Sequence, residues 1–242
     1  MRLGFVVWVT ENFQDMVDFA KNKNFDFVEI TLGDQTSPPI DFPVMGHLMF
    51  NHDMTNLTSD VYRELVKLQK LGAEKITIHP TYHDMNIKTL LEKNIDGIIK
   101  LNDYCRNEGM ELYLENTSNP IISSAENLNK IVEECYLDGI TLDIGHLRRN
   151  KQEKDFLNPN IIDKIKHFHL HNVVDGIDHA TYTKENLAKD LNYLKNFKNA
   201  DTLSLEFFVK IIQNQTIRLG EDERREEMLK TLEQLKHFYT LS

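Results

Sequence analysis

With 242 residues, 40% of them hydrophobic and 27% charged, the chain is long enough for one domain with a sizeable core, and this balance excludes disordered and fibrous classes. Its 28 Lys and Arg against 38 Asp and Glu give a formal net charge of −10, the opposite of the basic excess that binds a phosphate backbone, so nucleic acid is a disfavoured partner. The two cysteines, Cys105 and Cys135, stand in no CxxC spacing, which argues against a disulfide framework or a cysteine zinc cluster and fits a reducing compartment.

The first apolar run is Leu3–Val9, LGFVVWV, which stops at Glu11 without a small-residue cleavage site. It reads as a first β-strand, not a secretory signal, and no later run approaches the roughly 18 residues of a membrane span, so a cytoplasmic protein is expected. Phe27–Thr31 and Val44–Phe50 are the next strand candidates. A helical pattern follows over Ser59–Leu71, with Thr58 or Ser59 as cap and Gly72 as terminator, then a strand at Lys75–His79. Ile87–Arg106 is helical and stops at Gly109. Glu111–Glu115, Ile140–Asp143, His167–His171 and Leu203–Phe208 complete eight strand candidates. The last helix, about Glu221–His237, repeats apolar residues at Met228, Leu229, Leu232, Leu235 and Phe238. No Pro/Gly/Ser-rich linker divides the chain, so residues 1–242 are expected to form a single domain of the α/β class. Eight β/α units in this length have the rhythm of a (β/α)8 TIM barrel, and FVVWV and FVEIT read as strands buried on both faces. A doubly wound sheet is the competing arrangement.

In such a barrel, chemistry gathers where strands end. His47 lies in the third strand (VMGHLMF), His79 ends the fourth (ITIHP), Glu115 the fifth (LYLENT) and Asp143 the sixth, with His146 just beyond (TLDIGHL). The seventh, HFHLHN, holds His167, His169 and His171, and Glu206 interrupts the eighth (LSLEFF). Nine of the ten histidines lie in or shortly after strand ends, and His237 alone sits on a terminal helix. Carboxylates and imidazoles in apolar strands must be paired or metal-bound to offset desolvation, and several converging on one barrel mouth satisfy each other most easily around a divalent cation.

Each residue also has a plainer reading. Glu206 or Glu29, taken singly, could be a barrel-interior carboxylate paired with a lysine, and the strand end of Glu29 carries no other ligand candidate. Alternation along HFHLHN puts all three imidazoles on one side, so one or two can reach a common ion, and His167 is read as a satisfied core histidine. His52 and His83 are placed in loops near the mouth, while His179 stays open between loop residue and ligand. Arg148 and Arg149, with Lys151 and Lys154, read as a solvated loop, with contact to an anionic substrate as the alternative.

From about His47 to Glu206, the ordered pieces LENT, DIGH, HLHN and LEFF resemble the xylose isomerase-like TIM barrels, which include sugar-phosphate isomerases and epimerases together with endonuclease IV. The resemblance implies a metal site of Glu115, Asp143, His169 and Glu206, with His146 near the substrate and Glu115 and Glu206 as an acid/base pair. The implied cofactor is Mn²⁺, Mg²⁺ or Co²⁺, a Lewis acid that lets the glutamates move a proton through an enediolate. The expected function is therefore isomerisation or epimerisation of a small sugar, sugar phosphate or related carbonyl compound. His47, His79, His146 and His179 fall where endonuclease IV has further histidines, which implies the alternative of about two or three Zn²⁺ ions cleaving abasic DNA. Against it stand the net charge of −10, the short chain, and Ile177 where that family has an aspartate. Ala180 to Glu185 replaces a Gly-rich segment of related isomerases, and Asp175 stands where some epimerases have arginine. These departures admit a third reading, a metal-holding barrel without turnover. Family barrels often pair through outer helices, so a homo-oligomer is a further expectation.

Overall fold

Every one of the eight apolar runs supplies a strand to a closed parallel barrel, ordered β1-β10-β7-β6-β5-β4-β3-β2. The computed structural model describes residues 1–8, 12–36, 38–212 and 215–240. Val9 and Glu11, the expected end of the first run, lie outside the described residues. The chain runs through β1 (Arg2–Val7), α1 (Phe13–Asn22), β2 (Val28–Ile30), β3 (Val44–His47), α2 (Ser59–Lys70), β4 (Lys75–Ile78), α3 (Ile87–Asn107), β5 (Glu111–Glu115) and α4 (Ala125–Glu134). It continues with β6 (Gly139–Asp143), α5 (Ile144–Arg149), the short α6 (Pro159–Ile162), β7 (Ile165–Leu170), β8 (Asn172–Val174) and β9 (Ile177–Ala180). α7 (Lys184–Leu194), β10 (Thr202–Leu205), β11 (Val209–Ile212), β12 (Gln215–Arg218) and α8 (Glu221–Thr240) complete it. The all-parallel closure excludes a doubly wound sheet. No helix among the described residues is long and apolar enough to cross a membrane.

Local signals set the helix ends. Asn86, Ser124 and Thr183 accept bonds from the first-turn N–H groups of α3, α4 and α7. Thr58 occupies the cap position of α2 without a side-chain cap bond. The chain leaves α2 and α3 through Gly72 and Gly109, both at positive φ. The helices bury one face each against the barrel, through residues such as Leu65 and Leu68 of α2 and Ile98 and Leu101 of α3. Burying a side chain of that size contributes about 1.5–3 kcal/mol before entropy is counted. On α8 the predicted stripe is the buried one: Met228, Leu232 and Leu235 are in the core, with Leu229 and Phe238 packed at its edge. Arg224 fastens α8 to the mouth, donating to the carbonyls of Phe207 and Val6 and lying 4.4 Å over the Phe208 ring.

Strand pairing stops earlier than the apolar runs. The last partners are His47 with Thr77 and Leu205 with Leu170, so β3 ends at His47 instead of Phe50, and His79, His171 and Glu206 are the first residues past their strands. Past the last paired residues side chains need not alternate between two faces, which frees these groups to turn toward a common point. The barrel interior beneath them is polar. Thr77 of β4 and Thr141 of β6 bond across it at 3.0 Å, and His167 of β7 reaches Glu29 of β2.

A second sheet, β12-β11-β9-β8, was not expected. Its strands come from the loops that follow β7 and β10. Asp175 and Gly176, both at positive φ, make the tight turn between β8 and β9. The basic stretch also departs from the solvated loop. Arg148 and Arg149 lie on α5, where Arg148 pairs with the fully buried Asp190 of α7 and Arg149 with Asp178 of β9. These pairs tie α5 to both its neighbours.

Candidate metal centre

Four buried side chains meet at the C-terminal mouth of the barrel. Glu115 is the last residue of β5, Asp143 the last of β6, His169 is on β7, and Glu206 follows β10. Each offers one ligand atom, and these four atoms all lie within 4.8 Å of one another. Asp143 is also the cap of α5: its Oδ1 accepts the His146 N–H at 2.6 Å, which fixes the carboxylate and leaves Oδ2 for the centre. The asparagine of LENT explains its place in the motif. Asn116 accepts from the Asp143 N–H at 2.7 Å and donates to the Asp143 carbonyl at 2.9 Å, clamping β6 to β5 at the ligands.

Nδ1 of His169 lies 3.2 Å from Glu115 and 3.0 Å from Glu206. None of Glu115 Oε2, Asp143 Oδ2, His169 Nδ1 and Glu206 Oε2 makes a hydrogen bond among the described residues. Buried polar atoms that are ion-paired but make no hydrogen bond are incompletely satisfied, and three carboxylate oxygens plus one imidazole nitrogen aimed at one point match a divalent cation that accepts oxygen and nitrogen. The donor set therefore fits the metal that the motif implies. Without an ion, the cluster balances its own charge. Burial drives the Glu115 carboxyl up, but the His169 and His79 charges overcome this and hold it well below the usual range. Burial opposes ionisation of Glu206 too, yet the His169 charge brings it down to about 2. His169 goes well above the ordinary imidazole value: the charges of Glu115, Glu29 and Glu206 outweigh the lowering effect of burial.

Two further ligand-type groups flank the centre. On one side His47 and His79 face each other, Nε2 to Nε2, at 3.2 Å, and stand 3.5 and 3.2 Å from Glu115. Burial pushes His47 down, whereas at His79 the Glu115 charge overcomes burial and pushes it up. On the other side His171 Nδ1 lies 3.1 Å from Asp143, and the rings of His146 and His179 pack 5.1 and 4.2 Å from the His171 ring. Burial lowers His171, but Asp143 more than compensates and raises it to about 10. Asp178, held down to about 2 by the His171 bond and the His146 charge against the effect of burial, closes this side. The ring of His171 fits because Gly145, in DIGH, has no side chain: a Cβ there would lie 1.8 Å from Nε2.

All eight residues proposed from the sequence, His47, His79, Glu115, Asp143, His146, His169, His179 and Glu206, come together here. His52 and His83 do not. His52 bonds the buried Glu64 at 2.6 Å and His83 bonds Asp53 at 3.1 Å. His167 is a satisfied core histidine, bonded to Thr202 and Glu29. Of the readings open for Glu29, the lysine-paired one does not hold. Its partners are His167, His169 and Ser204 instead of a lysine, and the charges and bonds of the two histidines hold its carboxyl well below the usual range despite burial. His171 and Asp178 join the cluster as well; the alternation in HFHLHN is the sequence signal for His171, and no local pattern marks Asp178.

Above the centre lies a cavity of about 910 Å³. Trp8, Phe50 and Phe208 form an aromatic wall, with Trp8 and Phe208 edge to face at 5.3 Å, and Arg218 of β12 reaches the rim. The floor is polar and the wall apolar, the arrangement of a site for a small polar molecule with a carbon face.

A family model described as xylose isomerase-like TIM barrel matches residues 41–208. Two uncharacterised proteins of Methanocaldococcus jannaschii are similar, one 27% identical over 162 residues and the other 30% identical over 165. The matches cover 64% and 66% of this chain but 63% and 66% of those proteins, so it spans less than two thirds of their length. Among solved structures, a D-tagatose 3-epimerase-like protein is 21% identical with a TM-score of 0.71, covering 100% of this chain and 98% of that one. D-psicose 3-epimerase of Clostridium cellulolyticum H10, solved with D-tagatose, is 13% identical with a TM-score of 0.68, covering 96% and 97%. The IolI protein, solved with a bound zinc atom, is 17% identical with a TM-score of 0.68, covering 96% and 95%. At these identities the likeness is one of fold.

Proposed function

Because the chain belongs to the xylose isomerase-like TIM barrels, we propose that it is a divalent-metal-dependent isomerase or epimerase of a small sugar, sugar phosphate or related carbonyl compound. The observation that carries this is the set of four converging buried ligand atoms, from Glu115, Asp143, His169 and Glu206, none of them hydrogen-bonded among the described residues, at the floor of the aromatic-walled cavity. The fold likeness to sugar epimerases supports it.

A divalent ion bound by those four residues would supply Lewis acidity that makes the C–H beside a substrate carbonyl more acidic. Glu115 and Glu206 are the proton-transfer pair. Both are held ionised, so either can take a proton from carbon, and they arrive on strands separated by β6 and β7, which gives the reaction two separate acid/base groups. One takes the proton from carbon as a carboxylate; the other, first protonated from solvent, delivers a proton back to the substrate. His146, beside the centre on α5 and lining the cavity, would bind a substrate hydroxyl. Trp8, Phe50 and Phe208 exclude water and pack on the substrate's carbon skeleton.

A second reading has its own observation. His47, His79 and Glu115 form one more ligand group, and His171, His179 and Glu206 another, each sharing a carboxylate with the centre. A site with several ions would suit phosphodiester hydrolysis in abasic DNA, although the net charge of −10 works against a DNA partner. The test is deuterium incorporation from D2O into ketopentoses, ketohexoses and their phosphates, followed by NMR with Mn²⁺-, Co²⁺- or Zn²⁺-loaded protein, beside cleavage of an abasic duplex. Exchange at the carbon next to the carbonyl, lost in Glu206→Gln, supports the isomerase. Duplex cleavage without exchange supports the second reading, and neither activity with metal retained leaves a barrel that holds its ion without turnover.

A further inference from the structure

We propose that Glu29 is a positioning residue for the metal centre: from the barrel interior it fixes His169 in the tautomer that presents Nδ1 to the ion. The inference rests on the metal reading above. Glu29 is the middle residue of β2, paired with Val6 of β1 and Met45 of β3, and is fully buried. Its carboxylate sits between the centre and the barrel floor.

The hydrogen bonds assign themselves. An ionised carboxylate only accepts, so each nitrogen or hydroxyl that approaches it must donate. Nε2 of His169 lies 3.0 Å from both oxygens of Glu29, Nε2 of His167 lies 3.0 Å from Oε2, and the Ser204 hydroxyl donates to Oε2 at 2.6 Å. Three donors around one carboxyl leave no room for a proton of its own. His169 therefore keeps its hydrogen on Nε2, and Nδ1, the nitrogen facing Glu115 and Glu206, is the one whose lone pair an ion would take in place of a proton. His167 is assigned in the same way. Its Nε2 donates to Glu29, so Nδ1 accepts from the Thr202 hydroxyl at 2.8 Å. The column Thr202, His167, Glu29, His169 contains no unpaired polar atom until Nδ1 of His169.

A carboxylate behind a ligand imidazole orients the ring and raises its basicity, and removing such a partner typically weakens metal binding by about 10–100-fold. Two other roles for Glu29 fit less well. It contacts no lysine among the described residues, so it is not a neutralised interior charge of the ordinary kind. Nor is it placed as a ligand itself, although it lies near His47 and His169: both oxygens are already engaged, and His47 Nδ1 is 3.7 Å away.

The experiment is a Co²⁺ titration of wild type and Glu29→Gln, reading affinity and the visible absorption bands of the bound ion, with folding checked by circular dichroism. Wild type should bind Co²⁺, and Glu29→Gln should bind about 10–100-fold more weakly with shifted bands, because the ligand ring is turned. A folded Glu29→Gln with wild-type affinity and spectrum would overturn the proposal and leave the metal reading standing. Wild type that binds no Co²⁺ would overturn the metal reading, and this proposal with it. Imidazole nitrogen NMR of Zn²⁺-loaded wild type needs no variant to fold: the proton of His169 on Nε2 is expected, and a proton on Nδ1 with the ion on Nε2 would overturn the assignment.

Discussion

Gly145→Ala tests the packing that brings the second histidine cluster to the centre. A Cβ at residue 145 would lie 1.8 Å from His171 Nε2, 2.1 Å from Cδ2 and 2.5 Å from Cε1. The ring cannot swing away cheaply, because it is fully buried, held by Asp143 at 3.1 Å and packed against His179 at 4.2 Å. Overpacking of this kind costs about 1–3 kcal/mol, and contacts this close belong at the upper end. Alanine returns up to about 1 kcal/mol of helix propensity on α5. The net loss is then about 2 kcal/mol, or a fall of about 4–8 °C in Tm for a chain of this size. Thermal melts by circular dichroism read it directly. His171→Ala should destabilise alone, yet absorb the new methyl in the double variant, so the pair should couple by about 0.5–3 kcal/mol. An unchanged Tm in Gly145→Ala, or strictly additive losses in the double variant, would refute the argument.

Glu115→Gln and Glu206→Gln should each lower the deuterium exchange rate by about 10²–10⁴-fold while the protein stays folded, and a variant with wild-type exchange removes that residue from the proton-transfer pair. Chelation should lower the melting temperature, since ion at a hundred times its Kd stabilises the native state by about 2.7 kcal/mol, or about 5–11 °C here. Differential scanning calorimetry before and after chelation, with removal confirmed by elemental analysis, checks this; an unchanged transition contradicts a bound ion. Burial pushes the thiols of Cys105 and Cys135 up to about 12, so neither should react with Ellman's reagent at pH 8 until the chain unfolds, and rapid labelling of native protein would contradict their placement in the core.

The barrel was legible because strands buried on both faces leave an uninterrupted apolar trace, and the centre was legible because Glu115 and Asp143 stop those traces with residues that cannot be buried alone. Ladder lengths were less so. Val44–Phe50 is one apolar run, yet pairing ends at His47, because Leu48 turns into the core while Phe50 is exposed at the rim. The second sheet left a fainter trace: its strands are three or four residues of mixed polarity, such as IDHA and QTIR, too short for any period. Its Asp175-Gly176 turn was the one readable sign. Partners distant in the chain were hidden for a different reason. Glu29 lies 140 residues from His169, and nothing local to either marks the bond between them. Arg148 likewise looked solvated because the buried Asp190 that holds it lies on α7.

The most direct measurement is the number of divalent ions bound per chain, by elemental analysis after loading with Mn²⁺, Co²⁺ or Zn²⁺ and removal of excess, in wild type and in Asp143→Ala. One tightly held ion per chain is expected in wild type and none in the variant. An ion that survives loss of Asp143, or a wild type that retains none, would contradict the four-residue centre, and two or three Zn²⁺ per chain would transfer support to the hydrolytic reading.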